Sequence, residues 1–148
     1  MTVRILVDTN IFLYSRDFRF PTKQAQASAW LRTLTLSGVM VTSQQVAGEH
    51  QNAAVRKLGN PPAMAAEESR ELLRWCPGVL QVADTHRALD IQCRFKTQWW
   101  DAVHIAFALA NGCTHFLTED RMSAREIAGL PLVDPFEVTP DAFFRQSD

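Results

Sequence analysis

The sequence predicts one α/β domain, a parallel sheet covered by helices on both faces. Three observations predict it. Short apolar runs of strand length alternate with longer segments of helical period along the whole chain. The 148 residues match the common size of a single domain, and 47% of them are hydrophobic, enough to build a core. No repeat, low-complexity stretch or linker breaks the alternation, so residues 1–148 read as one domain.

The elements follow in order. Residues 4–7 form a short buried strand that runs into the polar turn Asp8, Thr9, Asn10, and residues 18–21 form a loop. A helix is predicted over 22–36, with Thr22 as its N-cap, Gly38 as its stop, and Ala25, Ala29, Trp30 and Leu34 near one face. Residues 39–41 are a short strand. Ser43 then caps a helix to about residue 58, closed by Gly59 and the Pro61, Pro62 break. Another helix is predicted over 63–75 and a weak strand over 79–82. Asp84 and Thr85 start a helix that ends near Lys96. Asp101 opens a strongly apolar helix over 102–110, stopped by Asn111 and Gly112. Residues 115–118 form a strand, 123–128 a short helix ending at Gly129, and 132–133 a last short strand; Thr139 and Pro140 cap a final helical turn through Phe144.

Composition narrows the function classes. A net charge of −1 gives no global positive field, so nucleic-acid contact would have to come from local basic patches. Three widely spaced cysteines, Cys76, Cys93 and Cys113, contain no CxxC or CxxH pair. A structural zinc site is therefore not expected, and the thiols read as free and buried in a reducing cytoplasm. The first apolar run is cut by Asp8 after a few residues, so no signal peptide is expected. Nothing approaches the roughly 20 apolar residues that cross a bilayer. A cytoplasmic protein is the expectation.

Four carboxylates carry the chemistry. Asp8 stands at the end of a strand, at the sheet edge where open α/β folds bind ligands, although turns also favour Asp for local hydrogen bonds. Glu49 lies in the helical row Val46, Glu49, Ala53, which should face the protein; a buried Glu needs a partner cation or a metal. Asp101 suits a helix N-terminus as a cap, but the helix behind it is apolar almost all round and should be central, which puts this Asp at the rim of the core. Asp120 follows its strand as Asp8 follows the first, with Glu119 beside it. No Lys or Arg adjoins Asp8, Glu49 or Asp101 in sequence. Converging carboxylates repel one another, and a divalent cation removes the conflict. Oxygen ligands select Mg²⁺ or Mn²⁺, and the matching chemistry is phosphodiester hydrolysis.

On these residues the chain resembles the PIN-domain ribonucleases, and within them the VapC-like toxins of type II toxin–antitoxin pairs. The resemblance rests on Leu6 to Asn10, on Ser43, Gln44 and Gln45 leading to Glu49, on Trp100 to Ala106, on Phe116 to Asp120, and on Gly129, Leu130 leading to Asp134, Pro135, Phe136. It covers nearly the whole chain. It implies a three-layer α/β/α fold with a central parallel sheet of about four to five strands. It implies Mg²⁺- or Mn²⁺-dependent endoribonuclease activity, with Asp8, Glu49, Asp101 and Asp120 as the catalytic, metal-binding set. Asn10 would hold the first turn or a metal-bound water, Thr118 would be a hydroxyl near the metal or the phosphate, and Glu119 would support the set. An antitoxin partner and a homodimer are implied too; the helices around Trp30 and over 63–75 are candidate surfaces. The chain departs from many relatives after the last acidic pair, where Arg121 to Arg125 contains no glycine, and at Asp134, where relatives often have Asn.

Other signals are weaker. A haloacid-dehalogenase-type phosphatase would need a second Asp where Asn10 stands. Gly-rich phosphate loops and a G-x-S-x-G motif are absent. His50, His86, His104 and His115 show no metal-ligand spacing; His104, one turn after Asp101, reads as a packed or capping histidine before an orienting one. Arg16, Arg19 and Lys23 after the first acidic turn, and Arg121 and Arg125 after the last, are candidate phosphate contacts or an ordinary solvated surface. Trp99 and Trp100 could stack on a base, although core packing is the simpler reading. The rival to a nuclease is a catalytically silent PIN-like module that binds RNA or protein. Such a module has no need to hold mutually repelling acids.

Overall fold

In the computed structural model, residues 2–120 and 124–146 are described. Five strands, β1 (Ile5–Val7), β2 (Met40–Val41), β3 (His115–Leu117), β4 (Glu126–Ile127) and β5 (Leu130–Val133), form one sheet in the order β2-β1-β3-β5-β4. β2, β1, β3 and β5 run parallel, and β4 pairs antiparallel with β5 at the edge. The helices are α1 (Thr9–Tyr14), α2 (Pro21–Ser37), α3 (Gln44–Arg56), α4 (Pro62–Leu72), α5 (Val82–Phe95), α6 (Trp99–Ala110) and α7 (Pro140–Gln146). This is the α/β layered architecture the sequence predicts.

The pleat sorts the strand residues between two cores. Leu6 and Phe116 point to one face, into a cluster with Ala88 and Ile91 of α5 and Ala102, Ile105, Ala106 and Phe107 of α6. Ile5, Val7 and Leu117 point to the other, where Ile11, Trp30, Leu34 and Phe143 from α1, α2 and α7 pack. In α6 every residue from Ala102 to Ala108 is buried, as its all-round apolar sequence requires. Trp30 is fully buried and its Nε1 donates to the carbonyls of Pro135 and Val138 at 3.0 and 2.9 Å.

Several expectations are corrected. The polar turn after β1 is the start of a helix: Asp8 is the N-cap of α1, with Thr9 N donating to Asp8 Oδ1 at 2.7 Å. Thr22 is not the cap of α2, because Pro21 takes the first helical position and Phe20 precedes it without a side-chain bond. Ala25 and Ala29 are exposed, and the inner face of α2 is Ala27, Trp30 and Leu34. Residues 79–82 are not a strand. Val79, Leu80 and Val82 are exposed, and Asp84 Oδ2 accepts from Gln81 N at 2.8 Å, which starts α5 early. Asp101 is not a cap either: α6 begins at Trp99, with Gln98 before it, and Asp101 lies in the first turn. In place of a helix over 124–128 there is a hairpin. Ala128 (φ 53°) and Gly129 (φ 83°) are both left-handed, the backbone of a two-residue turn that pairs Ile127 with Leu130. Ser123, the expected start of that helix, lies outside the described residues. The cysteines are free as expected, but only Cys113 is buried; Cys76 is partly buried and Cys93 is exposed.

Candidate active site

The site follows from the chain order of the strands. From β1 the chain crosses to β2 on one side, then returns to place β3 on the other side of β1. A parallel sheet leaves a crevice at the carboxyl ends of its strands where the winding direction switches. Asp8 and Thr118 end β1 and β3 at that point. Asp8 N donates to Leu117 O at 2.9 Å and Thr118 N to Val133 O at 2.9 Å, so both are clamped by one more ladder bond beyond the strands.

Asp8, Glu49, Asp101 and Asp120 all line one cleft of about 650 Å³. Asp8 is buried, Glu49 and Asp101 are partly buried, and Asp120 is exposed. Ligand atoms of Asp8, Glu49 and His104 lie within 4.8 Å of one another. Asp101 and Asp120 face the same space from α6 and from the end of β3 without joining that compact group.

Each acid is fixed by neighbours. Thr118 Oγ1 donates to Asp8 Oδ2 at 2.8 Å and accepts from Asp120 N at 3.1 Å, so one buried hydroxyl ties the two strand-end carboxylate loops together. Glu49 accepts from Thr9 Oγ1 at 2.8 Å and from Gln45 Nε2 at 2.7 Å, and His104 Nε2 lies 3.4 Å from its Oε1. Gln45 sits one turn before Glu49 on α3, and Ser43 holds that helix start by accepting from Val46 N at 3.0 Å.

The electrostatics separate the acids. Burial works to raise the Glu49 carboxyl, but the His104 bond and charge, with Gln45 and Thr9, outweigh it and hold the group at about 2. Burial raises Asp8 above the usual carboxylate range, against the pull of His104 and the Thr118 bond. Asp101 is pushed up to about 6, by burial first and then by the charges of Asp120 and Asp8. Burial opposes protonation of His104, yet Glu49, Asp8 and Asp101 together raise its pKa. The cleft thus stabilises positive charge and penalises a full complement of anions.

The remaining sequence candidates land differently. Asn10 is exposed on the first turn of α1 and lines the cleft. Glu119 turns away from it and pairs with Lys23. Lys23 Nζ also sits 4.8 and 5.0 Å from the ring centres of Tyr14 and Phe136. Arg19 is held by Asp17 at 2.9 and 2.8 Å, and Arg16 Nε is 3.8 Å from Glu68. Arg121 lies outside the described residues. His104 is packed, as read, with its ring centre 5.6 Å from that of Phe116, and it also faces Glu49. Among the described residues, the lysine and arginine side chains that line the cleft are Arg56 and Lys57, which the sequence reading passed over. The signal was available: Asn52, Ala53 and Arg56 stand three, four and seven residues after Glu49, on one helix face.

The family model of the PIN domain matches residues 5–130. The chain belongs to the PIN domain family. No curated protein sequence matches this PIN domain significantly. Among solved structures it is similar to a toxin–antitoxin complex from Klebsiella pneumoniae, at 18% identity and a TM-score of 0.63, over 90% of this chain and 99% of the other. A second is VapBC2 from Rickettsia felis bound to a DNA fragment from its promoter, at 14% identity and a TM-score of 0.63, over 88% and 97%. A third is VapC20 from Mycobacterium tuberculosis, described as a sarcin–ricin loop cleaving toxin, at 21% identity and a TM-score of 0.61, over 86% and 98%. Similarity at these identities shows a shared fold.

Proposed function

We propose that this PIN domain is a metal-dependent endoribonuclease, the VapC-like toxin of a toxin–antitoxin pair. One observation carries the reading: four carboxylates from four separate elements line a single cleft, and burial and mutual repulsion raise two of them, Asp8 and Asp101. Acids held at that cost fit a cation. The oxygen donor set fits Mg²⁺ or Mn²⁺. Asp8, Glu49, Asp101 and Asp120 would hold the ion, which when bound supplies Lewis-acid activation of water and offsets charge growing on the phosphate.

The chain's own residues do the rest. Thr118 holds Asp8 and the Asp120 loop at a fixed spacing, and Thr9, Gln45 and His104 fix the Glu49 carboxylate. A preorganised site loses no free energy to rearrangement as charge develops. Above a pH of about 6, Asp101 adds its negative charge, so metal affinity and cleavage should rise through that pH. The toxin part of the reading is supported by the neighbours, two of which are toxin–antitoxin assemblies and one an RNA-cleaving toxin. A protein antitoxin, a homodimer and a cytoplasmic location belong to the same proposal. Among the described residues no helix is long and apolar enough to cross a membrane.

The test is incubation of a total-RNA pool with Mg²⁺, Mn²⁺ or EDTA, beside Asp8→Asn. Discrete fragments that need metal and vanish in the variant are expected. Intact RNA with both metals, from antitoxin-free protein at high concentration, overturns the reading.

A further inference from the structure

We infer that Trp100 is a base-stacking platform and that Arg56 and Lys57 hold a flanking phosphate, so that the cleft grips an unpaired nucleotide across its mouth. The inference rests on the nuclease reading and assigns residues that reading does not use.

Trp100 is 62% exposed at the start of α6, while its neighbour Trp99 packs against the core. It lines the acidic cleft and directly precedes Asp101. Its backbone carbonyl accepts from Gln45 Nε2 at 3.4 Å, and the same amide group donates to Glu49. The backbone that carries the indole is therefore tied through one side chain to the acidic set. Arg56 and Lys57, at the end of α3, line the same cleft. Neither makes an ion pair among the described residues, whereas Arg16, Arg19 and Lys23 all face carboxylates.

The chemistry is complementary to a nucleotide chain. Four carboxylates in the cleft repel phosphates, so a polyanion needs cations on its path. Two basic side chains that pair with no acid among the described residues supply them. An exposed indole offers a flat π-face that any base can stack on, and only a base freed from a duplex can present its face to it. A protein ligand would explain the exposed indole but not two cations beside the acids.

The experiment measures binding separately from cleavage. Fluorescent oligouridylate and oligoadenylate, and a fully paired duplex of the same sequences, are titrated by anisotropy with Ca²⁺ in place of Mg²⁺. Wild-type protein should prefer the single strands. Trp100→Ala should weaken binding roughly 5- to 100-fold and Trp100→Phe should recover much of it. Arg56→Ala and Lys57→Ala should each flatten the dependence of log affinity on log salt by about one phosphate contact. Because Trp100 is exposed, a melting curve of Trp100→Ala close to wild type is the expected check on folding. Unchanged affinity in Trp100→Ala, or equal affinity for the duplex, overturns the inference even if the protein cuts RNA. A loss in Trp100→Ala that Trp100→Phe recovers supports it even if cleavage fails.

Discussion

Replacing Asp101 with Asn should make the metal-free protein more stable while removing its response to metal. The Asp101 carboxyl stands at about 6 against a reference of 3.8, roughly two units. At ~1.4 kcal/mol per unit this is about 3 kcal/mol of strain in the ionised folded state; because the cleft opens to water, about 1.5–3 kcal/mol is the reasonable range. The sign follows from proton linkage. A carboxyl whose folded pKa is raised binds its proton more tightly in the native state, so its ionisation destabilises the fold as pH rises. Below about pH 4 the group is protonated in both folded and unfolded chains and costs nothing. Between about 4 and 6 the cost grows, and above 6 it is complete. Melting curves in EDTA should therefore coincide for wild type and Asp101→Asn near pH 4 and separate by roughly 3–12 °C at pH 8, with the variant higher. Saturating Mn²⁺ should then raise the wild type, by about 2.7 kcal/mol at a hundred times Kd, and the variant much less. A variant that melts lower than wild type in EDTA at pH 8, or a gap that does not depend on pH, refutes the claim that burial of Asp101 and its repulsion by the neighbouring acids are stored in the fold.

Three further outcomes are expected. Thr118→Val should remove the hydroxyl that bridges Asp8 and the Asp120 backbone, weakening Mn²⁺ binding by about 10–100-fold in calorimetry; affinity equal to wild type would show that the strut is dispensable. Ser69→Ala should lower stability by about 1–3 kcal/mol in urea unfolding, because it leaves the buried His50 Nδ1, 2.9 Å from Ser69 Oγ, without that partner; a neutral change would mean that another group takes its place. Burial pushes the Cys113 thiol up to about 11, so a thiol reagent at pH 8 should modify exposed Cys93 quickly and Cys113 only on unfolding. Prompt labelling of Cys113 in mass spectra of the native protein would contradict that burial.

How much of this protein was legible in its sequence depends on the range of the interaction that decides each feature. Strand β1, the Ser43 cap and the central helix α6 were readable, because each depends on side chains a few residues apart. The same local logic singled out Asp8, Glu49, Asp101 and Asp120, since a carboxylate at a strand end or on an inward helical row stands out against its neighbours. It misread the stretch before Gly129, where two left-handed residues override a helical composition, and residues 79–82, a run that pairs with no strand among the described residues. Tertiary structure alone decided which partners the acids keep. His104 reaches the Glu49 carboxylate from another helix, Lys23 draws Glu119 away over 96 residues of chain, and Thr118 joins Asp8 across 110. Such contacts exist only once β3 lies beside β1, because closing loops of that length costs entropy that the packed sheet and helices must first offset. The sequence by itself determined the acids and their order; the crossing of the chain at the sheet's switch point determined that they meet, and so set their charges against one another.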